Sequence, residues 1–333
     1  MRAMVLENPR PAEESPLILR DVPAPTPGPN EIRVRITCCG LCHTDLHTIE
    51  GDLPLPTLPI APGHQIVGII DALGADVRTF KEGARVGIPW LHWTCGQCQY
   101  CRRGLENLCE NAQFTGYHVN GGYAEFTVVN ENYAYLIPEI FADENAAPLL
   151  CAGIIGYRSY LFTGIGESGR LGLYGFGASA HLVLQLARHQ GREVYVFTRT
   201  PAHRELATKL GAFWVGAAED TPPQPLDASI IFAPAGSLVP HALRALRKAG
   251  TLVLAGITMS PIPQLDYSLL YHERVIRSVA NSTREDVRGF LQLAAEVPLN
   301  TEIEVFSLEQ ANQALQALKH SRIRGAGVLR VAD

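Results

Sequence analysis

Four cysteines, Cys95, Cys98, Cys101 and Cys109, fall within fifteen residues at the spacing C-x2-C-x2-C-x7-C. Zinc takes four ligands in a tetrahedron, with zinc–sulfur bonds of about 2.3 Å, and two-residue gaps let successive thiolates turn inward around one ion. Gly96 and Gly104 relieve the tight backbone between them. With all four positions filled by protein, such an ion would be structural. Two other readings remain at this point: a [4Fe–4S] cluster, although ferredoxin-like runs place the fourth cysteine after three residues and follow it with proline, and four ordinary buried cysteines.

A second group is more dispersed. Cys42 stands in Gly40-Leu41-Cys42-His43-Thr44-Asp45-Leu46-His47, His64 follows Gly63, and Cys151 lies in Leu150-Cys151-Ala152-Gly153. A catalytic zinc needs three protein ligands and an open fourth position, and two cysteines with one histidine form a recognised set. No local spacing joins these three, so a hydrogen-bonded structural histidine and a core cysteine are the competing reading. Seven of the eight cysteines lie between Cys38 and Cys109, and the eighth is Cys151. The N-terminus has no apolar signal core, since Met1-Arg2-Ala3-Met4-Val5 runs into Glu7 and Arg10. A disulfide scaffold is therefore the wrong context for these thiols, and the expected compartment is the cytoplasm.

The third candidate is Gly175-Phe176-Gly177-Ala178-Ser179-Ala180, which fits the dinucleotide pattern G-x-G-x-x-A. The first glycine allows a tight turn, the second lets backbone approach a pyrophosphate, and the small third residue keeps helix against strand. Such a motif has meaning only between a strand and a helix. Leu171 to Tyr174 reads as that strand, and Leu182, Val183, Leu186 and Ala187 form the apolar stripe of a helix ending near Gly191. Helix N-terminal amides would then point at the phosphates.

The elements needed to carry this motif continue. Glu193 to Thr198 reads as a second strand, followed by a helix with Thr200 as N-cap and Pro201 first, ending at Gly211. Further strands are expected at Ala228 to Ala233, Thr251 to Ala255 and Val275 to Val279, with a helix through Val239, Ala242, Leu243 and Leu246. Strands alternating with helices require a parallel sheet, here of six strands. Ala233, Gly256 and Ile257, at or just beyond strand ends, join Phe176, Ala178 and Ser179 as candidate coenzyme contacts. NAD-binding versions place a carboxylate at the tip of the second strand, yet this chain reads Phe197-Thr198-Arg199-Thr200. Arg199, with Thr200 and Arg204 nearby, suits a 2′-phosphate and favours NADP over NAD; a solvated loop arginine is the alternative.

Composition sets the remaining bounds. At 333 residues, roughly 150 per domain gives two domains. Hydrophobic residues make up 47% and charged ones 18%, which excludes disorder. Net charge −5 leaves no cation surplus for nucleic acid or an anionic membrane surface. No run of about 18 apolar residues suggests a spanning helix.

Together these pieces resemble the zinc-containing medium-chain alcohol dehydrogenases over nearly the whole chain. Cys42 to His47, Pro62-Gly63-His64, the four-cysteine lobe at about 90–112, Gly121-Gly122-Tyr123-Ala124-Glu125, Leu150 to Gly153 and the glycine turn occur in the family's order. The resemblance implies an α/β protein: residues 1–150 form a GroES-like β-rich catalytic domain, 151–283 a Rossmann domain with a doubly wound parallel sheet, and 284–333 return to the first. The last stretch carries an S-x-x-Q capping signal, Ser307 to Gln310. Two zinc ions per chain are implied, with Cys42, His64 and Cys151 holding the catalytic one. Asp45 matches the carboxylate behind a ligand imidazole, Thr44 the hydroxyl that takes the substrate proton, and His47 the base that passes it to solvent by way of the nicotinamide ribose; a surface histidine is the plainer reading of His47.

Three positions depart from the family. Gln65 replaces a glutamate after the ligand histidine, Leu53 stands where many relatives have tryptophan, and Ala326 occupies the place of an arginine for the pyrophosphate, with Arg322 and Arg324 as the candidates to stand in for it. Trp90 matches a pocket wall, with core packing as the alternative. The implied function is hydride transfer between NAD(P) and a primary or secondary alcohol, or an aldehyde, in a homodimer or homotetramer. The competing functions are a zinc-free enone or quinone reductase and a non-catalytic zinc- and nucleotide-binding redox sensor using Cys38 and Cys39.

Overall fold

The computed structural model describes residues 1–332 and divides into two compact units. Among the described residues, the first contains 1–151, 283–296 and 301–332. Its central strand, β1 (Glu31–Leu41), buries Ile32, Val34 and Ile36 on alternate positions, as period-two patterning demands. Between Ile36 and Cys38 an extra residue, Thr37, bulges out of the ladder with β2 (Gln65–Leu73). The core face therefore resumes at Cys39 and Leu41. The Thr37 carbonyl accepts from the Val331 and Ala332 N–H groups at 2.9 and 3.3 Å.

Helix α1 (His43–Glu50) follows β1 directly and stops at Gly51, whose φ of 81° is a left-handed turn that glycine takes without strain. The mixed seven-stranded sheet runs, by neighbours, Ile303–Ser307, Ala326–Arg330, β1, β2, Arg85–Ile88 and Tyr135–Leu136, while Phe126–Asn130 also pairs with β1. C-terminal residues thus complete the sheet that the N-terminal half begins. Ahead of the final helix, Gln310 Oε1 accepts the Ser307 N–H at 2.9 Å, the contact expected of S-x-x-Q. The four-cysteine segment has almost no regular structure, consisting of short 3₁₀ turns beside the two-stranded pairing of Leu91–Trp93 with Gln113–Phe114. It is tied down by Glu106, whose Oε1 accepts the Arg284 backbone N–H at 2.9 Å.

The second unit contains residues 152–282 and 297–300. Its parallel strands are β3 (Arg170–Tyr174), β4 (Glu193–Phe197), β5 (Trp214–Gly216), β6 (Leu226–Ile231), β7 (Leu246–Leu254) and β8 (Val275–Ser278), in the order β5-β4-β3-β6-β7-β8. That is the doubly wound Rossmann arrangement, with its switch point between β3 and β6. Helix α2 (Ala178–His189) follows β3, and helix α3 (Pro201–Lys209) follows β4.

The structure adjusts several expectations. The sixth strand is β5, three residues long at the sheet edge, too short to show periodicity. Helix Ala152–Thr163 is apolar on most of its sides, so no stripe announces it, and it stops at Gly164, whose φ of 60° lets its N–H return to the Leu161 carbonyl at 3.2 Å. Thr200 occupies the N-cap position of α3 but its hydroxyl makes no cap bond. Residues 297–300 group with the second unit because Asn300 and the Gln185 side chain exchange hydrogen bonds of 2.8 and 3.0 Å.

Candidate metal centres and coenzyme edge

Cys42 is the N-cap of α1, and its Sγ accepts the Thr44 N–H at 3.4 Å. Asp45, three residues on, completes a capping box by accepting the Cys42 N–H on Oδ2 at 2.8 Å. The other oxygen of the same carboxylate, Oδ1, lies 3.0 Å from His64 Nδ1. With Nδ1 so engaged, His64 turns Nε2 toward Cys42 Sγ, 3.5 Å away. Cys151 Sγ lies 3.8 Å from Cys42 Sγ. His64 reaches this position because Gly63 has φ 94°, and a Cβ there would stand 2.4 Å from the Tyr123 ring. Any larger residue would displace His64.

These separations test the site for zinc. A tetrahedron with bonds of about 2.3 Å to sulfur and about 2.0 Å to nitrogen has edges of roughly 3.7 Å between sulfurs and roughly 3.5 Å from sulfur to nitrogen. The donor set and its spacing fit, with three protein ligands and one position left. His64 and Asp45 are 2% exposed. Burial alone would lower His64, but Asp45 and then Cys42 outweigh it and raise it to about 10. Burial raises Asp45 against the pull of His64. Cys42 falls well below an ordinary thiol, drawn down by the Cys151 hydrogen bond and by His64, while Cys151 rises as the donor of that bond.

Around these donor atoms stand aromatic groups. The Trp90 ring is 4.7 Å from that of His64 and meets Phe114 edge-on at 5.6 Å. Tyr117, 6.4 Å from Trp90, donates its hydroxyl hydrogen to the Pro54 carbonyl at 2.5 Å, anchoring the loop that carries half-buried Leu53. Sequence reasoning missed Phe114 and Tyr117, because aromatic residues in an irregular segment carry no pattern. Trp90 Nε1 and Gln65 Nε2 are buried with no hydrogen-bond partner among the described residues. Thr44 is buried and one helical turn before His47, hence on the same face of α1. His47 Nδ1 lies 2.7 Å from Asp52 Oδ2.

The other four cysteines also converge. Cys95 Sγ is 3.5 Å from Cys109 Sγ and 4.0 Å from Cys101 Sγ, and the donor atoms of all four lie within 4.8 Å of one another. Backbone N–H groups of Gln97 and Cys98 hold Cys95 down at about 6. Cys38 and Cys39 are buried, and burial pushes both thiols up. A redox sensor needs an accessible thiolate, which this pair does not offer.

In the second unit, the candidate coenzyme residues follow the carboxyl ends of adjacent parallel strands: Gly175 after β3, Thr198 after β4, Ala233 after β6, and Gly256 and Ile257 after β7. Gly175 has φ 84° and sits against Ala233, whose Cβ would be 2.9 Å from one added to the glycine. Gly177 is the N-cap of α2 and offers no side chain to its amides, leaving them for an anion. Phe176 is buried in the sheet core, whereas Ala178 and Ser179 open the helix. Thr198 is buried and Arg199 and Thr200 are exposed. The Arg204 Nε–H donates to the Thr198 carbonyl at 2.9 Å, so this guanidinium braces the loop. Arg322 and Arg324 are exposed in the turn before Ala326–Arg330.

Residues 28–139 match the alcohol dehydrogenase GroES-like domain, and residues 180–296 match the zinc-binding dehydrogenase domain. The chain is 48% identical to a probable alcohol dehydrogenase of Mycobacterium tuberculosis, covering 99% of this chain and 97% of the relative. It is 37% identical to an alcohol dehydrogenase of Geobacillus stearothermophilus, covering 99% and 100%. Among solved structures, a cinnamyl alcohol dehydrogenase of Sorghum bicolor superposes with TM-score 0.89 at 26% identity, covering 99% of this chain and 97% of the other. The acetophenone reductase of Geotrichum candidum in complex with NAD gives 0.88 at 25%, with the same coverage.

Proposed function

Because the chain belongs to the zinc-containing medium-chain alcohol dehydrogenases, we propose that Cys42, His64 and Cys151 hold its catalytic zinc and Cys95, Cys98, Cys101 and Cys109 a second, structural zinc. As a member of that family it is an NAD(P)-dependent oxidoreductase acting on small alcohols and aldehydes. The observation that carries the reading is the three-donor cluster with Asp45 behind it, spaced as a tetrahedral ion requires. A complete ligand set of this kind argues against the zinc-free reductases of the superfamily.

Zinc bound there supplies Lewis acidity toward an alcohol or carbonyl oxygen, and NAD(P) supplies the hydride partner. The chain's own residues do the rest. Asp45 fixes the tautomer of His64 and the backbone of Cys42, so two donors are aimed by one carboxylate. Thr44 accepts the proton of a substrate hydroxyl on Oγ1 and releases its own, and His47 takes it up at an imidazole nitrogen. Trp90 presents a rigid apolar face for the carbon side of the substrate, and Leu53, smaller than the tryptophan of many relatives, leaves that side roomier.

We further read the coenzyme as NADP in preference to NAD. No carboxylate stands at the tip of β4 to accept the ribose hydroxyls, and Arg199 is exposed there. We read the assembly as a homodimer or homotetramer. In support, β8 is an edge strand with Val275 exposed, near exposed Tyr267 and Tyr271, an apolar surface of the kind a second copy covers. The compartment we favour is the reducing cytoplasm, which suits eight free cysteines.

The test is turnover of ethanol and benzyl alcohol with each coenzyme, together with elemental analysis of active protein. Two zinc ions per chain are expected, with Cys151→Ala abolishing turnover and Cys98→Ser lowering thermal stability. One ion or none in active protein would overturn the two-site reading.

A further inference from the structure

At the end of α1 the backbone turns back on itself. Gly51 donates its N–H to the Thr48 carbonyl at 3.4 Å, and the Leu53 N–H returns to the carbonyl of His47, also at 3.4 Å. Asp52 is the residue enclosed by that return, so its carboxylate is carried over the last helical turn and meets His47 Nδ1 at 2.7 Å. The carboxylate is 55% exposed and the imidazole 22%, and pairs so exposed contribute little to stability. Their chemical consequence is different. A carboxylate only accepts, so the nitrogen facing it carries the hydrogen and Nε2 keeps its lone pair.

We propose that Asp52 is the positioning residue of the proton relay: it holds His47 as the Nδ1–H tautomer, so that Nε2 is the nitrogen that receives the proton at the end of the relay that Thr44 begins. The inference rests on the relay read above for Thr44 and His47. In alcohol oxidation the substrate O–H bond breaks, Thr44 Oγ1 gains that proton and gives up its own, and His47 Nε2 gains an N–H bond. The imidazolium so formed is offset by Asp52 and returns its proton to water, while the electron pair leaves as hydride to NAD(P)+, which the established activity supplies. Without the carboxylate the imidazole is free to carry its hydrogen on Nε2, where it cannot accept.

The experiment uses full-length zinc-loaded enzyme with 15N-labelled histidine, and His47→Gln to assign the His47 resonances. Wild type is expected to show a protonated Nδ1 and a bare Nε2 at His47 without substrate or coenzyme. Asp52→Ala should lose that signature, whereas Asp52→Asn, which keeps an acceptor oxygen, should retain it. The kcat for alcohol oxidation should fall roughly tenfold in Asp52→Ala, recover most of that in Asp52→Asn, and be unaffected by Asp52→Ala once His47 is glutamine. An Nε2–H tautomer in wild type, or an equal cost of Asp52→Ala with and without His47, overturns the assignment. A wild type that oxidises no alcohol overturns the relay itself, an outcome distinct from an active wild type indifferent to Asp52→Ala.

Discussion

Asp45 Oδ1 stands 3.0 Å behind His64 Nδ1 while Oδ2 of the same group caps the backbone of Cys42. A thiol from the start of a helix and an imidazole from a glycine loop are thereby registered against each other by one buried carboxylate. Asp45→Asn keeps the shape and an acceptor but can present its N–H₂ to one of the two donors. Zinc affinity at this site is expected to fall about 10- to 100-fold, with the four-cysteine site unaffected, measured by chelator competition with metal counting.

The coenzyme loop makes a divided prediction. Arg199→Ala should lower kcat/KM with NADP by roughly ten- to a hundredfold and leave NAD nearly unchanged, since only the 2′-phosphate gains from a charge-assisted bond. Arg204→Ala should weaken both coenzymes, because its guanidinium braces the Thr198 carbonyl. Thr198→Asp should shift the preference toward NAD. An Arg199→Ala enzyme with an unaltered NADP-to-NAD ratio would remove this loop from the account of specificity.

Leu53 sets the second specificity. Replacing it by tryptophan beside the Trp90 wall should reduce kcat/KM for benzyl alcohol about tenfold or more relative to ethanol, the range expected from one steric change in an apolar pocket. Steady-state kinetics on both alcohols decide it, and an equal effect on the two would mean that Leu53 faces elsewhere.

His92, two residues beyond Trp90, is 8% exposed with Nδ1 unpartnered among the described residues. Burial holds it down at about 4, against an ordinary value near 6.5. Folded protein therefore resists protonating it while the unfolded chain does not. Its contribution is complete above about pH 6.5 and is lost as pH falls toward 4, amounting to about 2 kcal/mol by pH 5. Urea unfolding at pH 7, 6 and 5 should show that slope in wild type and a shallower one in His92→Gln.

Residues that do chemistry were easier to read than the elements that hold them. The four close cysteines and the glycine turn announce themselves because metal and phosphate geometry constrain local spacing, and β3, β4 and α2 follow from periodicity around the turn. Cys42, His64 and Cys151 have no such local signature: donor type alone offers them as a set beside a plainer core reading, and only the resemblance chooses between the two. β1 shows why pattern fails: residues 38–41 are all buried, yet past the Thr37 bulge it is Cys39 and Leu41 that join the core begun by Ile32, Val34 and Ile36, where alternation would put Cys38 and Gly40. Asp52 was equally hidden, since its meaning depends on a backbone return after Gly51. Glu106 and Arg284, which moor the cysteine lobe, are 178 residues apart.

The two clusters also differ in how much chain they enclose. The links Cys95 to Cys109 and Cys42 to Cys151 span 14 and 109 residues. An ion joining the latter pair restricts the unfolded chain as a long-range cross-link does, and closing the longer loop is worth about 2 kcal/mol more entropy than closing the shorter one. By connectivity alone, an ion held by Cys42, His64 and Cys151 would be the stronger fastener of the two, so the names catalytic and structural would divide their reactivity without dividing their mechanical work.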